Sequence, residues 1–316
     1  MSEEQPSKGE RVAKVMARAG LCSRREAERW IEEGRVQVNG ERLKSPALAV
    51  SEVDIILVDG KALPARDLAR LWRFHKPVGY LTAERDPDGR PTIYDVLPKD
   101  LPRLIPVGRL DINSEGLLLL TNDGELKREL ELPQNAQKRR YRVRVHGRVS
   151  EAALANLKKG VTVEGVRYGP IEASIEKQTG TNAWLIFTLT EGKNREIRKV
   201  CGHLGLQVNR LIRQVYGDFS LGALPKGALS EVTQQQLFAA SGVGLKPKET
   251  WAKPKRKFIK PKKRVKPGAG VTATEGESRP SSNHKRLKTS KSQPGKKEQS
   301  NAHSRRKTSR PKARNA

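Results

Sequence analysis

From Glu10 the apolar residues Val12, Val15, Met16 and Ala19 recur at the i, i+3, i+4, i+7 spacing of an amphipathic helix. Gly20 sits where a helix C-terminal glycine belongs. Ser23 and Glu26 then match a capping box, which predicts a second helix through Glu33, with Gly34 as its stop. Arg35–Val38 alternates, Asn39-Gly40 is a hairpin signal, and the chain returns over Glu41–Leu43. A further run, Val53–Val58, ends in Asp59-Gly60, so two helices and a small sheet form a unit closing near residues 64–70. Beyond it, WRFHKPVGYLTA predicts strand, turn and strand around Pro77 and Gly79. Ile105 and Val107 alternate as a half-buried strand that breaks at Gly108, and Leu117–Leu120 has the continuous apolar character of a strand buried on both faces. Asn122-Asp123-Gly124 ends that strand, and a helix follows to about Leu130. Over Tyr141–His146 alternation places Tyr141, Val143 and Val145 on one face and Arg142, Arg144 and His146 on the other. A helix over 150–160, a hairpin over Val161–Pro170, a strand over Trp184–Leu189, a helix with the stripe Ile197, Val200, Cys201 and Leu204, and a strand over Val208–Val215 complete the pattern.

These elements predict an α+β protein: a small N-terminal domain over residues 10–68, a larger mixed-sheet domain over 69–240, and a tail over 241–316. Charge separates the parts further. The formal net charge is +28, and residues 245–316 hold 24 of the 63 Lys and Arg with only 4 of the 35 Asp and Glu. Such a tail buries too little apolar area to offset chain entropy, so disorder is expected there. The moderately basic body and very basic tail together call for a polyanionic partner. Cys22 and Cys201 are far apart and belong to no ligand cluster, so neither a disulfide framework nor a metal site is expected. No apolar run approaches the roughly 18 residues of a membrane span, and MSEEQPSKGERV lacks the apolar core of a signal peptide. Cytoplasmic residence without membrane association is therefore expected, and a monomer.

Two stretches carry candidate chemistry. Between the strands at 105–107 and 117–120 a short loop presents Arg109, Asp111, Asn113 and Ser114, an acid and a base on a support with little freedom. A capping Asp in a tight turn fits the same pattern. At the start of the helix after Leu189, EGKNREIR crowds Lys193, Asn194, Arg195 and Arg198 where the helix dipole disfavours cations, which favours an anionic partner over a merely solvated turn. On the N-terminal helices and the adjoining strand, Lys14, Arg18, Arg24, Arg25 and Arg35 form a basic surface, a phosphate-binding face or a solvated one. Neither G-x-x-x-x-G-K-[ST], a G-x-G-x-x-G after a strand, nor H-E-x-x-H occurs, so nucleotide and zinc chemistry have no support. His75, His146 and His203 read as structural or surface residues.

The stretch ERVAKVMARAGLCSRREAERWIEEGRVQVNGERL resembles the small RNA-binding domain first described in a ribosomal small-subunit protein. That resemblance implies phosphate contacts from Arg18, Arg24, Arg25 and Arg35. GRLDINSEGLLLLTNDGEL is similar to the signature of the pseudouridine synthases. With HKPVGYLT, RRYRVRVHG, EGKNREIRKV and VNRLIRQVYGDFSLGALPKG in this order, residues 10–235 resemble the branch that modifies ribosomal RNA and carries such an N-terminal domain (the RsuA/RluB type), the large-subunit members in particular. The resemblance implies isomerisation of uridine to pseudouridine in ribosomal RNA or a pre-ribosomal particle, without a cofactor. It implies Asp111 as the catalytic residue, Tyr141 stacking on a flipped uracil, Arg198 pairing with Asp111, Ile197 walling the pocket and Arg109 holding the neighbouring nucleotides. A carboxylate suits nucleophilic attack, or stabilisation of a developing positive sugar centre, better than proton donation. A small-subunit RNA substrate and an RNA-binding assembly factor without essential chemistry are the alternative readings.

Overall fold

A computed structural model of the chain describes residues 9–241; the basic tail lies outside the described residues. The first elements are β1 (Glu10–Arg11), α1 (Val12–Arg18), α2 (Arg24–Glu32), β2 (Val36–Val38), β3 (Glu41–Arg42), β4 (Ala49–Val50), β5 (Ile56–Val58) and β6 (Lys61–Ala62). Strands β3, β2, β5 and β6 form an antiparallel sheet in that order, and β1 pairs with β4. The local signals account for these elements. The Ser23 hydroxyl accepts from Glu26 N at 3.2 Å and the Glu26 carboxylate accepts from Ser23 N at 2.9 Å, the reciprocal cap that starts α2. Asn39 and Gly40 both take positive φ, 54° and 90°, as the two-residue turn between β2 and β3 requires. Val12, Val15 and Met16 of α1 pack on Ala27 and Ile31 of α2 and on Val36 and Val58 of the sheet.

The run Val53–Val58 forms a strand only from Ile56. Asp54 instead accepts from the Ser51 amide (2.6 Å), the Ser51 hydroxyl (2.9 Å) and Asn39 Nδ2 (2.7 Å), a local turn that competes with strand pairing and leaves Val53 82% exposed.

The second part comprises β7 (Leu71–Lys76), β8 (Ile105–Val107), β9 (Glu115–Thr121), α3 (Gly124–Glu131), β10 (Arg139–His146), α4 (Glu151–Asn156), β11 (Val161–Val163), β12 (Val166–Tyr168) and β13 (Ile171–Thr179). It continues with β14 (Asn182–Leu189), α5 (Glu196–His203), β15 (Gln207–Tyr216), β16 (Phe219–Ser220), β17 (Leu229–Glu231) and α6 (Gln234–Ser241). A mixed sheet runs in the order β13-β14-β10-β15-β9-β7-β17, with β8 against β9 and β16 against β15. Its β15–β9 ladder is parallel and its other ladders are antiparallel.

Alternation decides which face each residue serves. In β9, Leu117 and Leu119 join a cluster with Leu126 and Leu130 of α3 and Leu237 of α6, whereas Leu118 and Leu120 join Trp72, Phe74, Ile93, Leu104 and Leu110. This strand is buried on both faces, as its apolar run predicts. In β10, Val143 and Val145 point into a third cluster with Leu185, Phe187, Leu154 of α4 and Ile197 and Val200 of α5. Tyr141 packs against this cluster and also against the one that holds Leu110, so it stands where the two meet.

The expected second strand after Pro77-Gly79 does not form. Leu81 makes a single parallel bridge to Thr92, through Leu81 N to Pro91 O and Ile93 N to Leu81 O at 2.9 Å each, and beside it the Thr82 hydroxyl donates to Leu110 O at 2.9 Å. The pattern reading passed over β13, although Ile171, Ala173 and Ile175 alternate with Glu172 and Ser174, and over β17 and α6.

Gly116 marks the close approach of β9 and β15. Its φ is +106°, and a Cβ there would lie 2.3 Å from the Arg213 carbonyl oxygen. Gly116→Ala is expected to lower unfolding stability by at least about 2 kcal/mol, since both backbone strain and the inter-strand contact oppose it. Urea denaturation of wild type and variant reads the difference.

Candidate active site

The loop between β8 and β9 is fastened at both ends and in the middle. Gly108 N donates to Glu131 Oε1 at 2.6 Å, Leu110 N to the Thr82 hydroxyl at 3.3 Å, Ser114 N to Asp111 O at 3.0 Å, and Gly79 N to Ile112 O at 2.8 Å. Lys76, the last residue of β7, is fully buried, and its ammonium donates to the carbonyl oxygens of Pro77 (3.1 Å), Asp111 (3.1 Å) and Ser114 (3.0 Å). Burial pushes the Lys76 amine down to about 8, against the opposing pull of Asp111 and Glu115. Three backbone carbonyls, two of them from this loop, thus converge on one ammonium, which satisfies the three donors of a charged lysine. The loop is held by tertiary contacts more than by its own turn.

The Asp111 side chain remains half-exposed at this rigid loop and faces Arg195, Oδ2 to Nη1 at 3.8 Å. Arg195 takes φ 50° and ψ 30°, a left-handed conformation unfavourable for a side chain of its size, just before α5. Arg198, expected to pair with Asp111, donates to Asn113 O at 2.8 Å and to Val208 O at 3.3 Å, so it binds the backbone of the Asp111 loop within reach of the carboxylate's charge. Burial holds the Arg198 guanidinium below its usual value, Arg195 adds to this, and Asp111 opposes it.

The remaining candidates divide. Ile197 is buried in the cluster that Tyr141 also touches, so the two are joined through packing. Arg109 and Asn194 are exposed. Lys193 turns away to Glu191 (2.8 Å) and Arg167 O (2.7 Å), while its backbone N–H donates to Glu196 Oε2 and starts α5. In the N-terminal part, Arg24 and Arg25 are exposed. Arg35 pairs with Asp59 at 2.7 Å and stacks on Trp30 at 4.5 Å. Lys14 and Arg18 are engaged by Glu10 and, from α3, by Glu125 at 3.4 and 2.8 Å. Among the described residues no group of three His, Cys, Asp or Glu could hold a metal ion, and no helix is long and apolar enough to cross a membrane.

This geometry has known counterparts. The RNA pseudouridylate synthase family matches residues 70–203, and the S4 domain family matches residues 10–56. A Rickettsia felis protein named as an uncharacterized RNA pseudouridine synthase is 45% identical over 228 residues, covering 72% of this chain and 99% of that protein. The ribosomal large subunit pseudouridine synthase B of Salmonella typhimurium is 43% identical over 256 residues, covering 77% of this chain and 86% of that protein. The chain belongs to the RNA pseudouridine synthase family. A solved pseudouridylate synthase aligns over 72% of the chain and 98% of its own length, with a TM-score of 0.51 and 28% identity. The family is one of RNA-modifying isomerases, and in this synthase an S4 domain precedes the mixed, mainly antiparallel sheet that carries the Asp111 loop.

Sequence reasoning passed over two supports of the synthase site. Lys76 left a signal, a lysine closing the otherwise apolar strand Leu71–Lys76 immediately before a proline. Glu115 left none: it is buried beside the loop, ion-pairs with Arg210, and lies 2.9 Å from Lys226. Burial raises its carboxyl, and the hydrogen bonds from Arg210 and Lys226 outweigh that and hold it below the usual value.

Proposed function

We infer that this synthase converts a uridine of ribosomal RNA, in the large subunit, to pseudouridine. Asp111 is the residue that acts on a nucleotide flipped out of its helix. The observation that carries this reading is a carboxylate left accessible on a loop fastened by Lys76, facing Arg195 and flanked by Arg198. A binding protein has no use for an acid so placed, because a carboxylate repels RNA phosphates. Tyr141 offers the stacking face for the detached uracil, and Ile197 helps enclose it. Enclosure matters because the base must leave the sugar through nitrogen 1, turn, and rejoin it through carbon 5 without escaping. Arg195 and Arg198 oppose the carboxylate's charge and keep the loop and α5 together, and Arg109, exposed beside the acid, is placed to meet the flanking nucleotides. The similarity to the large-subunit enzyme of Salmonella typhimurium supports the choice of RNA. The exposed Arg24 and Arg25 of the S4 domain supply phosphate contacts that position the enzyme. A monomer working in the cytoplasm without a cofactor completes the reading.

The test is the modification pattern of ribosomal RNA from cells without this gene, treated with carbodiimide and read by reverse transcription. One stop in the large-subunit RNA is expected to vanish and to return with the wild-type gene. Loss of a small-subunit stop would move the substrate, and an unchanged pattern in both RNAs would favour an assembly factor.

A further inference from the structure

A cleft of about 530 Å³ opens between the S4 helices and α3. Lys14, Arg18 and Arg24 lie on one wall, and Arg103, Lys127 and Arg128 on the other. Four of these six cations already have carboxylate partners. Lys14 and Arg18 share Glu10 and Glu125, Lys127 pairs with Glu131, and Arg103 pairs with Glu84. Arg24 and Arg128 are the exposed pair, one on each wall, and neither makes an ion pair among the described residues.

We propose that this cleft grips the phosphate backbone of the RNA that flanks the target uridine, and that Arg128 of α3 is a contact supplied by the catalytic sheet domain, facing Arg24 of the S4 domain. The proposal rests on the RNA-modification reading above and adds a second point of attachment to it. The walls are held by ion pairs that cross the boundary. Arg18 reaches Glu125 at 2.8 Å, and Arg66, in the segment joining the two parts, reaches Asp123 at 2.5 Å. Asp123 also caps α3 by accepting from Glu125 N (2.8 Å) and Leu126 N (3.0 Å), so the same carboxylate anchors the helix and the linker. Two guanidiniums on preset walls can bind phosphate bidentately without first being ordered. A concave basic surface between low-dielectric walls also focuses the field on an approaching polyanion.

The cleft stands at a fixed distance from the chemistry. β9 starts at Glu115, just after the Asp111 loop, and ends at Thr121, next to Asn122 and Gly124 on the cleft wall. Its seven residues span roughly 20 Å. RNA must therefore extend about that far from the flipped base before it can reach Arg128, and an RNA too short to do so cannot use the cleft.

The experiment measures the affinity of the full chain for two RNAs, as a function of salt. One is a ribosomal RNA fragment with long flanks, and the other is trimmed to a few nucleotides on each side of the target. Arg128→Glu and, more mildly, Arg128→Gln are expected to weaken binding of the long RNA several-fold, as is Arg24→Glu. Removing one phosphate-binding cation lowers the slope of log affinity against log salt by about one. The trimmed RNA should not distinguish Arg128→Glu from wild type, and Arg148→Glu, an exposed change away from the cleft, should alter neither RNA. Wild-type affinity of Arg128→Glu for the long RNA overturns the proposal, and so does equal weakening of both RNAs, which marks a general charge effect. A wild-type chain that binds the long RNA and forms no pseudouridine counts against the activity and leaves the cleft standing.

Discussion

Replacing Asp111 with asparagine is expected to abolish pseudouridine formation, by at least about 10³-fold, while RNA affinity stays within a few-fold of wild type. The substitution keeps the shape of the side chain, removes its charge and turns one acceptor oxygen into an amide donor. The loop should survive it, because the bonds that fasten the loop are made by backbone atoms: Lys76 to Asp111 O and Ser114 O, Gly79 N to Ile112 O, and Ser114 N to Asp111 O. RNA affinity should survive it too, since phosphate contacts come from cations elsewhere and removing a carboxylate only lessens repulsion. Release of tritium from 5-tritiated uridine in the RNA reads turnover, and filter binding of the same RNA reads affinity. A variant that still turns over at a tenth of the wild-type rate would remove Asp111 from the chemistry. Loss of binding in parallel with activity would make it a structural residue.

Lys76→Met should also lower turnover strongly, by about 10²-fold, because misplacement of a catalytic group by an ångström has effects of that size. Methionine fills a similar volume and leaves the carbonyls of Pro77, Asp111 and Ser114 without their shared donor. The same lysine predicts a pH dependence. Its amine lies at about 8 in the fold, against 10.5 when unperturbed, and burial is the main cause. Between these values the unfolded chain binds more protons than the folded one, so this group's contribution to stability rises with pH through that window. Function should run the other way. A neutral amine has one donor fewer for the three carbonyls, so the loop loosens and turnover falls as pH passes about 8. Comparing pH–rate profiles of wild type and Lys76→Met is the check: the wild-type decline near 8 should be missing from the variant. A decline common to both would assign it to another group.

Much of this protein was legible in its sequence because the relevant signals are local. The capping box at Ser23, the Asn39-Gly40 turn, the buried run in β9 and the alternation in β10 each follow from residues close together in the chain. The acid on the loop between β8 and β9 and the cations at the start of α5 were equally visible as candidates. What could not be read was which of them meet. Asp111 and Arg195 are brought together by the parallel ladder of β15 with β9, in which Ile212 lies opposite Glu115, a pairing between residues almost a hundred positions apart. That register also brings Arg198 to Asn113 O, on the backbone of the same loop.

The same limit applies to the basic residues. Composition marks Lys14 and Arg18 as free for RNA, yet α3 presents Glu125 to them, and a carboxylate more than a hundred residues away leaves no trace near them in sequence. The strand expected after Pro77-Gly79 satisfies its own local rules, yet the fold gives Leu81 a single bridge to Thr92 and ties the Thr82 side chain to Leu110 O, partners that the local pattern does not show. Propensity, capping and alternation are short-range terms, so the sequence by itself determined the class of the elements, their faces and the candidate residues. Ladder register and burial are long-range terms, so only the tertiary structure decided that Lys76 would be buried as a fastening, that Arg195 would face Asp111, and that two domains would enclose a basic cleft.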